Sequence, residues 1–174
     1  MKFERKSFLI LILALLILQA QALFAEDLSD EAFLDKLQHD AFNYFWQEAN
    51  PSNGLIRDST SPGSPCSIAS VGFGLVSIRI AEKRGWIDRR DAYNRVLTTL
   101  KTFYNDMQTE HGFFYHFVDM NTGKRVWNSE LSSIDTALFI AGALFCGEYF
   151  KGTKVDQLAR LLYRRVDWAW MSNG

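Results

Sequence analysis

The sequence predicts an all-α fold, a partial α/α toroid of about five helices in which outer and inner helices alternate. Two of these helices, from Ser67 to about Lys83 and from Ser132 to Phe150, are apolar on nearly every side, which is typical of buried helices. The others carry an apolar stripe on one side only and are expected outside. In a plain helical bundle every helix would show a similar stripe, so the alternation favours a toroid.

The first helix is expected to begin at Ser29 or Asp30, which are good N-cap residues, and to end before Asn50-Pro51. Its apolar residues recur at helical spacing. The segment that follows, from Leu55 to Pro65, is rich in Pro, Gly and Ser, so no regular structure is expected there.

The second helix contains Gly72 and Gly74, although glycine is a poor helix former. Such glycines are tolerated where another part of the chain passes close by, so a close backbone approach is expected at this point. Gly85 is expected to end the helix.

Polar residues predict where the remaining helices begin. Asp88 is the expected N-cap of the third helix, which runs to about Asn105. Ser132-x-x-Asp135 and Thr153-x-x-Asp156 have the spacing of capping boxes that open the fourth and fifth helices.

A β-hairpin is predicted between the third and fourth helices. Gly112–Asp119 is rich in aromatic residues, residues 120–123 have turn chemistry, and Lys124–Asn128 forms the return strand. If residues 120–123 form the loop, Asp119 faces Lys124 and His116 faces Trp127 across the hairpin.

The N-terminus resembles an export signal. Basic residues precede an apolar run from Phe8 to Leu18, and Ala20-Gln21-Ala22 is typical of a cleavage site. The run is shorter than the roughly 20 residues that cross a bilayer, although an uncleaved anchor is the alternative. We expect residues 1–22 to be a signal peptide and residues 23–174 to be an exported domain, periplasmic or secreted, with no membrane contact after cleavage.

Composition and cysteine count exclude several classes of function. The chain has 174 residues and a formal net charge of −1, and residues 1–22 contribute a net +2, so the exported part carries −3 and no basic patch for nucleic acid. Cys66 and Cys146 could form a disulfide, but each lies where a small residue is expected. The three histidines are scattered and no CxxC or HExxH motif occurs, so neither a metal nor a cofactor is expected.

Four strings resemble the glycoamylase-like family of glycoside hydrolases. They are FNYFWQEANPSNGLIRD (Phe42–Asp58), SIASVGFGL (Ser67–Leu75), GFFYHFVDMNTGKRVWNSELSSIDTALFIAGALF (Gly112–Phe145) and YRRVDWAWM (Tyr163–Met171). This family contains β-1,2-glucanases, and its domain also occurs in cyclic β-1,2-glucan synthases. The resemblance implies an (α/α)6 toroid of about twelve helices with a sugar cleft. Residues 23–174 therefore correspond to an apparently truncated N-terminal part, and a C-terminal half is expected as the missing partner.

The predicted site residues lie within these strings and have side chains that can bind, stack on or protonate a sugar. They are the catalytic candidate Glu130 and the substrate-binding candidates Arg57, Asp58, Tyr115, His116, Asp119, Trp127 and Asp135. Several have a structural alternative. A carboxylate at 130 also suits the N-terminus of a helix, one at 135 completes a capping box, one at 119 suits a turn, and hairpin aromatics often serve packing.

The resemblance implies hydrolysis of a glucan, with β-1,2-glucan as the leading substrate. Glycoside hydrolysis needs two carboxyl groups across a cleft, and Glu130 supplies one. The chain is therefore not expected to hydrolyse glucan alone. The alternatives are a non-catalytic carbohydrate-binding module and a truncated product without independent function.

Overall fold

The computed structural model describes residues 29–172, which divide after Leu37 into two compact units. The predicted signal peptide lies outside the described residues. In the short first unit, the Ser29 hydroxyl accepts a hydrogen bond from the amide of Ala32 at 3.3 Å, as expected of an N-cap. No helix within residues 29–172 is long and apolar enough to cross a membrane.

The described part of the chain contains the five predicted helices and one short additional helix. They are α1 (Asp30–Gln47), α2 (Ile68–Arg84), α3 (Arg89–Asn105), α4 (Ser133–Tyr149), α5 (Lys154–Arg165) and α6 (Trp168–Met171). The predicted helix ends are confirmed at Gly85, which is left-handed with φ 74°, and at Asp88, whose side chain accepts a hydrogen bond from the Asp91 amide.

The inner helices α2 and α4 pack against each other without space for a side chain between them. A Cβ added to Gly72 would lie 2.5 Å from the carbonyl oxygen of Leu138, and one added to Gly142 would clash with the carbonyl oxygen of Gly72. The close backbone approach predicted at Gly72 is therefore confirmed. At Gly74 the close neighbour is a side chain rather than backbone, because a Cβ there would clash with the side chain of Ile56 from the preceding loop.

Outer helices cover this inner pair on one side. Helix α3 packs on α2 and α5, and α5 packs on α4, so inner and outer helices alternate as predicted. The core between the layers is aromatic. The rings of Phe103 and Phe139 stack at 3.8 Å, and Phe114 meets both edge-on. The other flanks of the inner helices remain apolar and exposed, at Phe73 on α2 and at Ile134 and Phe145 on α4.

Both cysteines are free and buried. Burial raises the pKa of each thiol to about 12, so both stay protonated at neutral pH. Cys146 lies in the packed face of α4, where its Sγ is 3.2 Å from the carbonyl oxygen of Leu75. Each cysteine therefore acts as a small buried residue, the reading that the sequence favoured over a disulfide.

Five short strands stand at one end of the helices. They are β1 (Cys66–Ser67), β2 (Thr109–Glu110), β3 (Phe113–Tyr115), β4 (Phe117–Val118) and β5 (Leu131–Ser132). Strands β1 and β4 form one antiparallel pair, and β3 lies between β2 and β5 in a second sheet. The predicted single hairpin is thus divided between two small sheets.

The predicted hairpin register is confirmed at the turn and wrong beyond it. The Asp119 amide donates to the carbonyl oxygen of Lys124 at 2.8 Å, as expected. Further on, the His116 amide donates to the carbonyl oxygen of Glu130 at 3.0 Å, so His116 does not face Trp127. The register shifts because residues 127–129 leave the ladder as a bulge, with φ values of 57° at Trp127 and 50° at Asn128.

Arg125 holds this bulge in place. Its Nε donates to the carbonyl oxygen of Ser129 at 2.5 Å and its Nη2 to that of Asn128 at 2.7 Å. These bonds satisfy carbonyl groups that a regular ladder would have paired. The Ser129 hydroxyl in turn accepts from the Phe117 amide at 3.2 Å, which ties the end of the bulge back to β4.

Candidate functional site

The shifted register brings three of the predicted site residues together at the strand end of the inner helices. Nδ1 of His116 lies 2.8 Å from Oε1 of Glu130, and Nε2 of the same ring lies 3.8 Å from Oδ1 of Asp135. His116 connects β3 to β4, Glu130 precedes β5, and Asp135 lies in the first turn of α4. One imidazole ring therefore stands between an exposed and a buried carboxylate.

Asp135 is the buried member, with 4% of its surface exposed. Its Oδ1 accepts a hydrogen bond from the Ala69 amide at 3.3 Å, and its Oδ2 accepts one from the Ser132 hydroxyl. The carboxylate thus joins the N-termini of α2 and α4, where both helix dipoles favour negative charge. This burial favours the structural alternative for Asp135 over the predicted contact with substrate.

Glu130 is the exposed member, and 66% of its side chain is accessible. The carboxylate of Glu130 accepts hydrogen bonds from its own backbone amide and from the His116 ring. These bonds hold the pKa of Glu130 below its ordinary value, so the carboxylate is ionised at neutral pH. An exposed, ionised carboxylate can accept hydrogen bonds from sugar hydroxyls or act as a base. The role of general acid predicted for Glu130 stays a prediction.

An aromatic row leads away from this cluster. The His116 ring stacks on Phe117 with centroids 3.8 Å apart, and Phe117 meets the edge of Trp127 at 5.3 Å. Trp127 is 70% exposed although it is the largest side chain of the bulge. Its left-handed backbone costs on the order of 1–3 kcal/mol, and such strain is concentrated at functional sites. Trp127 therefore remains a good candidate for stacking on a sugar.

Tyr115 is less available for the predicted stacking role. It is half-buried, its hydroxyl donates to Oε2 of Glu110 at 3.4 Å, and the Arg125 guanidinium covers its ring at 4.8 Å. These contacts assign Tyr115 to packing around the bulge, the alternative that the sequence left open.

Arg57 and Asp58 are neighbours in the sequence but contact different partners. The Nε atom of Arg57 lies 3.6 Å from Oε2 of Glu48, whereas Asp58 is exposed and its amide donates to the carbonyl oxygen of Pro65. The side chain of Arg57 lines a cleft of about 250 Å³ that also reaches Trp127. The structure thus separates the predicted site residues into a carboxylate cluster around His116 and a cleft beside Trp127.

Asp119 borders the same cleft, but its carboxylate is engaged in the hairpin turn. Its Oδ1 accepts hydrogen bonds from the Asn121 amide at 3.1 Å and from the amide and hydroxyl of Thr122, both at 2.8 Å. The two bonds from Thr122 are the main cause of the lowered pKa of Asp119. A turn residue, rather than a ligand contact, is the role that this geometry supports.

The turn at Asp119 should make stability depend on pH. Because folding lowers the pKa of Asp119 from 3.8, its contribution is fully present above that value and is lost as pH falls through the folded pKa. We expect Asp119→Asn to lower the free energy of unfolding by about 1 kcal/mol at pH 7 and by less at pH 3. Urea unfolding at both pH values measures this, with Asp58→Asn as an exposed control. An equal loss at both pH values would contradict the assignment.

Sequence reasoning missed the residues that hold these parts in position. Arg125 fixes the bulge, and the side-chain amides of Asn50 and Asn53 donate to the carbonyl oxygen of Met120 at 3.0 and 2.9 Å. In the sequence, both asparagines read only as local turn residues beside Pro51 and Gly54. Nothing local indicates that their amides reach a residue that lies 70 and 67 positions further along the chain.

Comparison with known proteins finds similarity to enzymes that hydrolyse glucans. No family model matches the chain. The chain is 31% identical over 155 residues to an exo β-1,2-glucooligosaccharide sophorohydrolase (non-reducing end) of Parabacteroides distasonis, a match that covers 82% of this chain and 21% of that protein.

Solved structures agree with this relationship. A glucoamylase candidate from Bacteroides uniformis superimposes with a TM-score of 0.80 at 25% identity, over 86% of this chain and 39% of that one. The endo-β-1,2-glucanase of Chitinophaga pinensis, solved with sophorotriose and glucose, gives a TM-score of 0.75 at 25% identity, over 84% and 39% of the two chains.

The chain therefore spans about a fifth of the length of the curated relative and about two fifths of these two solved structures. The match extends over most of the residues that carried the resemblance in the sequence, and the alternating inner and outer helices agree with it. By sequence and by fold, the chain is similar to part of proteins described as β-1,2-glucan hydrolases and as a glucoamylase candidate.

Proposed function

We propose that the chain forms part of the substrate cleft of a glycoside hydrolase that acts on β-1,2-glucan. The observation that carries the proposal is the exposed, ionised carboxylate of Glu130, held by His116 at the N-terminus of an inner helix beside an aromatic row. The relatives whose names specify β-1,2-linked glucans support the choice of substrate.

Each residue of the cluster has a distinct role in this proposal. Glu130 accepts hydrogen bonds from sugar hydroxyls near the scissile linkage, or activates a water molecule there. His116 orients that carboxylate through Nδ1, while its other ring nitrogen, Nε2, faces the buried carboxylate of Asp135. Trp127 offers an apolar face to a sugar ring.

Hydrolysis requires a second carboxyl group across the cleft. Within residues 29–172, the other carboxylate that meets His116 is Asp135, which is buried and occupied by structural hydrogen bonds. We therefore propose that this chain binds glucan without hydrolysing it efficiently. The proposal includes a location outside the cytoplasm, which the predicted signal peptide supports.

Calorimetric titration with linear β-1,2-gluco-oligosaccharides tests the proposal. We expect binding in preference to β-1,3- and β-1,4-linked oligosaccharides. We also expect about tenfold weaker binding by Glu130→Gln, because an ionised carboxylate accepts stronger hydrogen bonds than a neutral amide does. Glu148→Gln is the matched control, since Glu148 is similarly exposed but pairs with Lys151 and Arg160 at the other end of α4.

Chromatography of the same mixtures distinguishes an enzyme from a binding module. Oligosaccharides that remain intact would support binding without efficient hydrolysis. Robust release of shorter products would show a complete active site and refute that part of the proposal. If no β-1,2-linked oligosaccharide binds, or if Glu130→Gln and Glu148→Gln behave alike, the proposed site is wrong.

A further inference from the structure

We propose that a groove running from Trp127 past Arg57 to Pro51 is a second sugar-binding site, which holds the part of a glucan chain that extends beyond the His116 cluster. This inference rests on the proposed function and names where the remaining sugar units bind. It predicts a preference for oligosaccharides longer than a disaccharide.

Two adjoining clefts form the groove. One has a volume of about 250 Å³ and ends at Trp127, and the other has a volume of about 300 Å³ and ends at Pro51. Both are lined by Arg57, Met120 and Asn121, so they meet along these side chains. Two adjoining clefts offer room for more than one sugar ring, as an oligosaccharide requires.

The polar groups of the groove suit a neutral ligand rich in hydroxyl groups. Arg57 contributes donors, Glu48 contributes acceptors, and the side-chain amide of Asn121 contributes both. The positive charge of Arg57 is balanced by Glu48, whose Oε2 lies 3.6 Å from its Nε. An anionic ligand such as a phosphate would have to compete with that carboxylate, whereas sugar hydroxyls can bond to both partners at once.

The walls of the groove are held in position by contacts within the chain. The side-chain amides of Asn50 and Asn53 anchor the hairpin loop at Met120. On the other side, Arg125 anchors the bulge, and the Phe117 ring supports Trp127 from one edge. A preformed site loses little conformational entropy when it binds a ligand.

Trp127 connects the two sites. Its ring lines the groove at one end and contacts Phe117, which stacks on His116 of the carboxylate cluster. A glucan chain that follows this aromatic row passes from Glu130 to the groove. A disaccharide occupies one of the two sites, whereas a longer oligosaccharide can occupy both, which is the physical basis of the predicted length preference.

The test compares sophorose with a β-1,2-linked glucopentaose by calorimetry on the purified chain. We expect the wild type to bind the pentaose at least tenfold more tightly than the disaccharide. Trp127→Ala and Arg57→Ala should each weaken pentaose binding about tenfold, and Trp127→Phe should retain most of the affinity because it keeps an aromatic face.

Trp170→Ala is the matched control, since Trp170 is an exposed tryptophan of α6 whose ring stacks on His111. Unchanged melting temperatures establish that the variants fold.

The outcomes separate this inference from the proposed function. If Trp127→Ala and Arg57→Ala bind the pentaose as the wild type does while Glu130→Gln binds it weakly, the groove and the stacking role of Trp127 are refuted, and the proposed binding of glucan at Glu130 stands. Equal losses for Trp127→Ala and Trp170→Ala would also refute the groove. If the wild type binds neither oligosaccharide, both ideas fail.

Discussion

Replacing Gly72 with valine is expected to lower the free energy of unfolding by about 3 kcal/mol, a large fraction of the stability of an ordinary domain. The added Cβ would lie 2.5 Å from the carbonyl oxygen of Leu138 and 2.7 Å from its carbonyl carbon. These are backbone atoms of α4 and cannot rotate away as a side chain would. The two inner helices would have to separate, which opens the core around Phe139. Urea unfolding followed by circular dichroism measures the loss.

Ala141→Val provides the control for this prediction. Ala141 lies next to Gly142 on α4 but is exposed, so a valine there adds the helix-propensity cost of a β-branched residue, about 0.5 kcal/mol, without a clash. If Gly72→Val unfolds at the wild-type urea concentration, α2 and α4 do not pack as closely as described.

Asp135→Ala is expected to lower the free energy of unfolding by about 3 kcal/mol. The substitution removes the acceptor of two hydrogen bonds, from the Ala69 amide and the Ser132 hydroxyl, and leaves buried donors unpaired. It also removes a negative charge from the N-termini of α2 and α4. Thermal and urea unfolding of the purified variant provide the measurement.

Asp156→Ala is the matched control for the loss at Asp135. Asp156 occupies the same position of the second predicted capping box, accepts from the Gly152 amide at 3.0 Å, and pairs with Arg160 at the surface. Its loss should cost much less stability than the loss of Asp135, because its ion pair with Arg160 is exposed to solvent. If Asp135→Ala instead retains wild-type stability but loses oligosaccharide binding, the substrate contact suggested by the sequence is correct and the structural role is wrong.

The helices could be predicted because their signals are local. Periodic apolar residues, a glycine at 85 and an aspartate at 88 determine where helices begin and end through groups within a few residues of each other. The candidate site was predicted less completely. Glu130 and Trp127 were selected by residue type and position, but Tyr115, Asp119 and Asp135 have structural contacts that favour the alternatives given for them.

The sequence by itself determined the alternation of inner and outer helices, the close approach at Gly72 and the relationship to β-1,2-glucan-active hydrolases, because each depends on residue spacing or on long matching strings. Only the tertiary structure decided which side chains meet at the site. His116 meets Glu130 because a bulge shifts the register after Val126. That bulge is held by hydrogen bonds that Arg125 donates to Asn128 and Ser129 and by one that the Phe117 amide donates to the Ser129 hydroxyl. These bonds depend on the backbone path through residues 125–129 and on where that path meets β4, and a pattern of residue types does not specify that path.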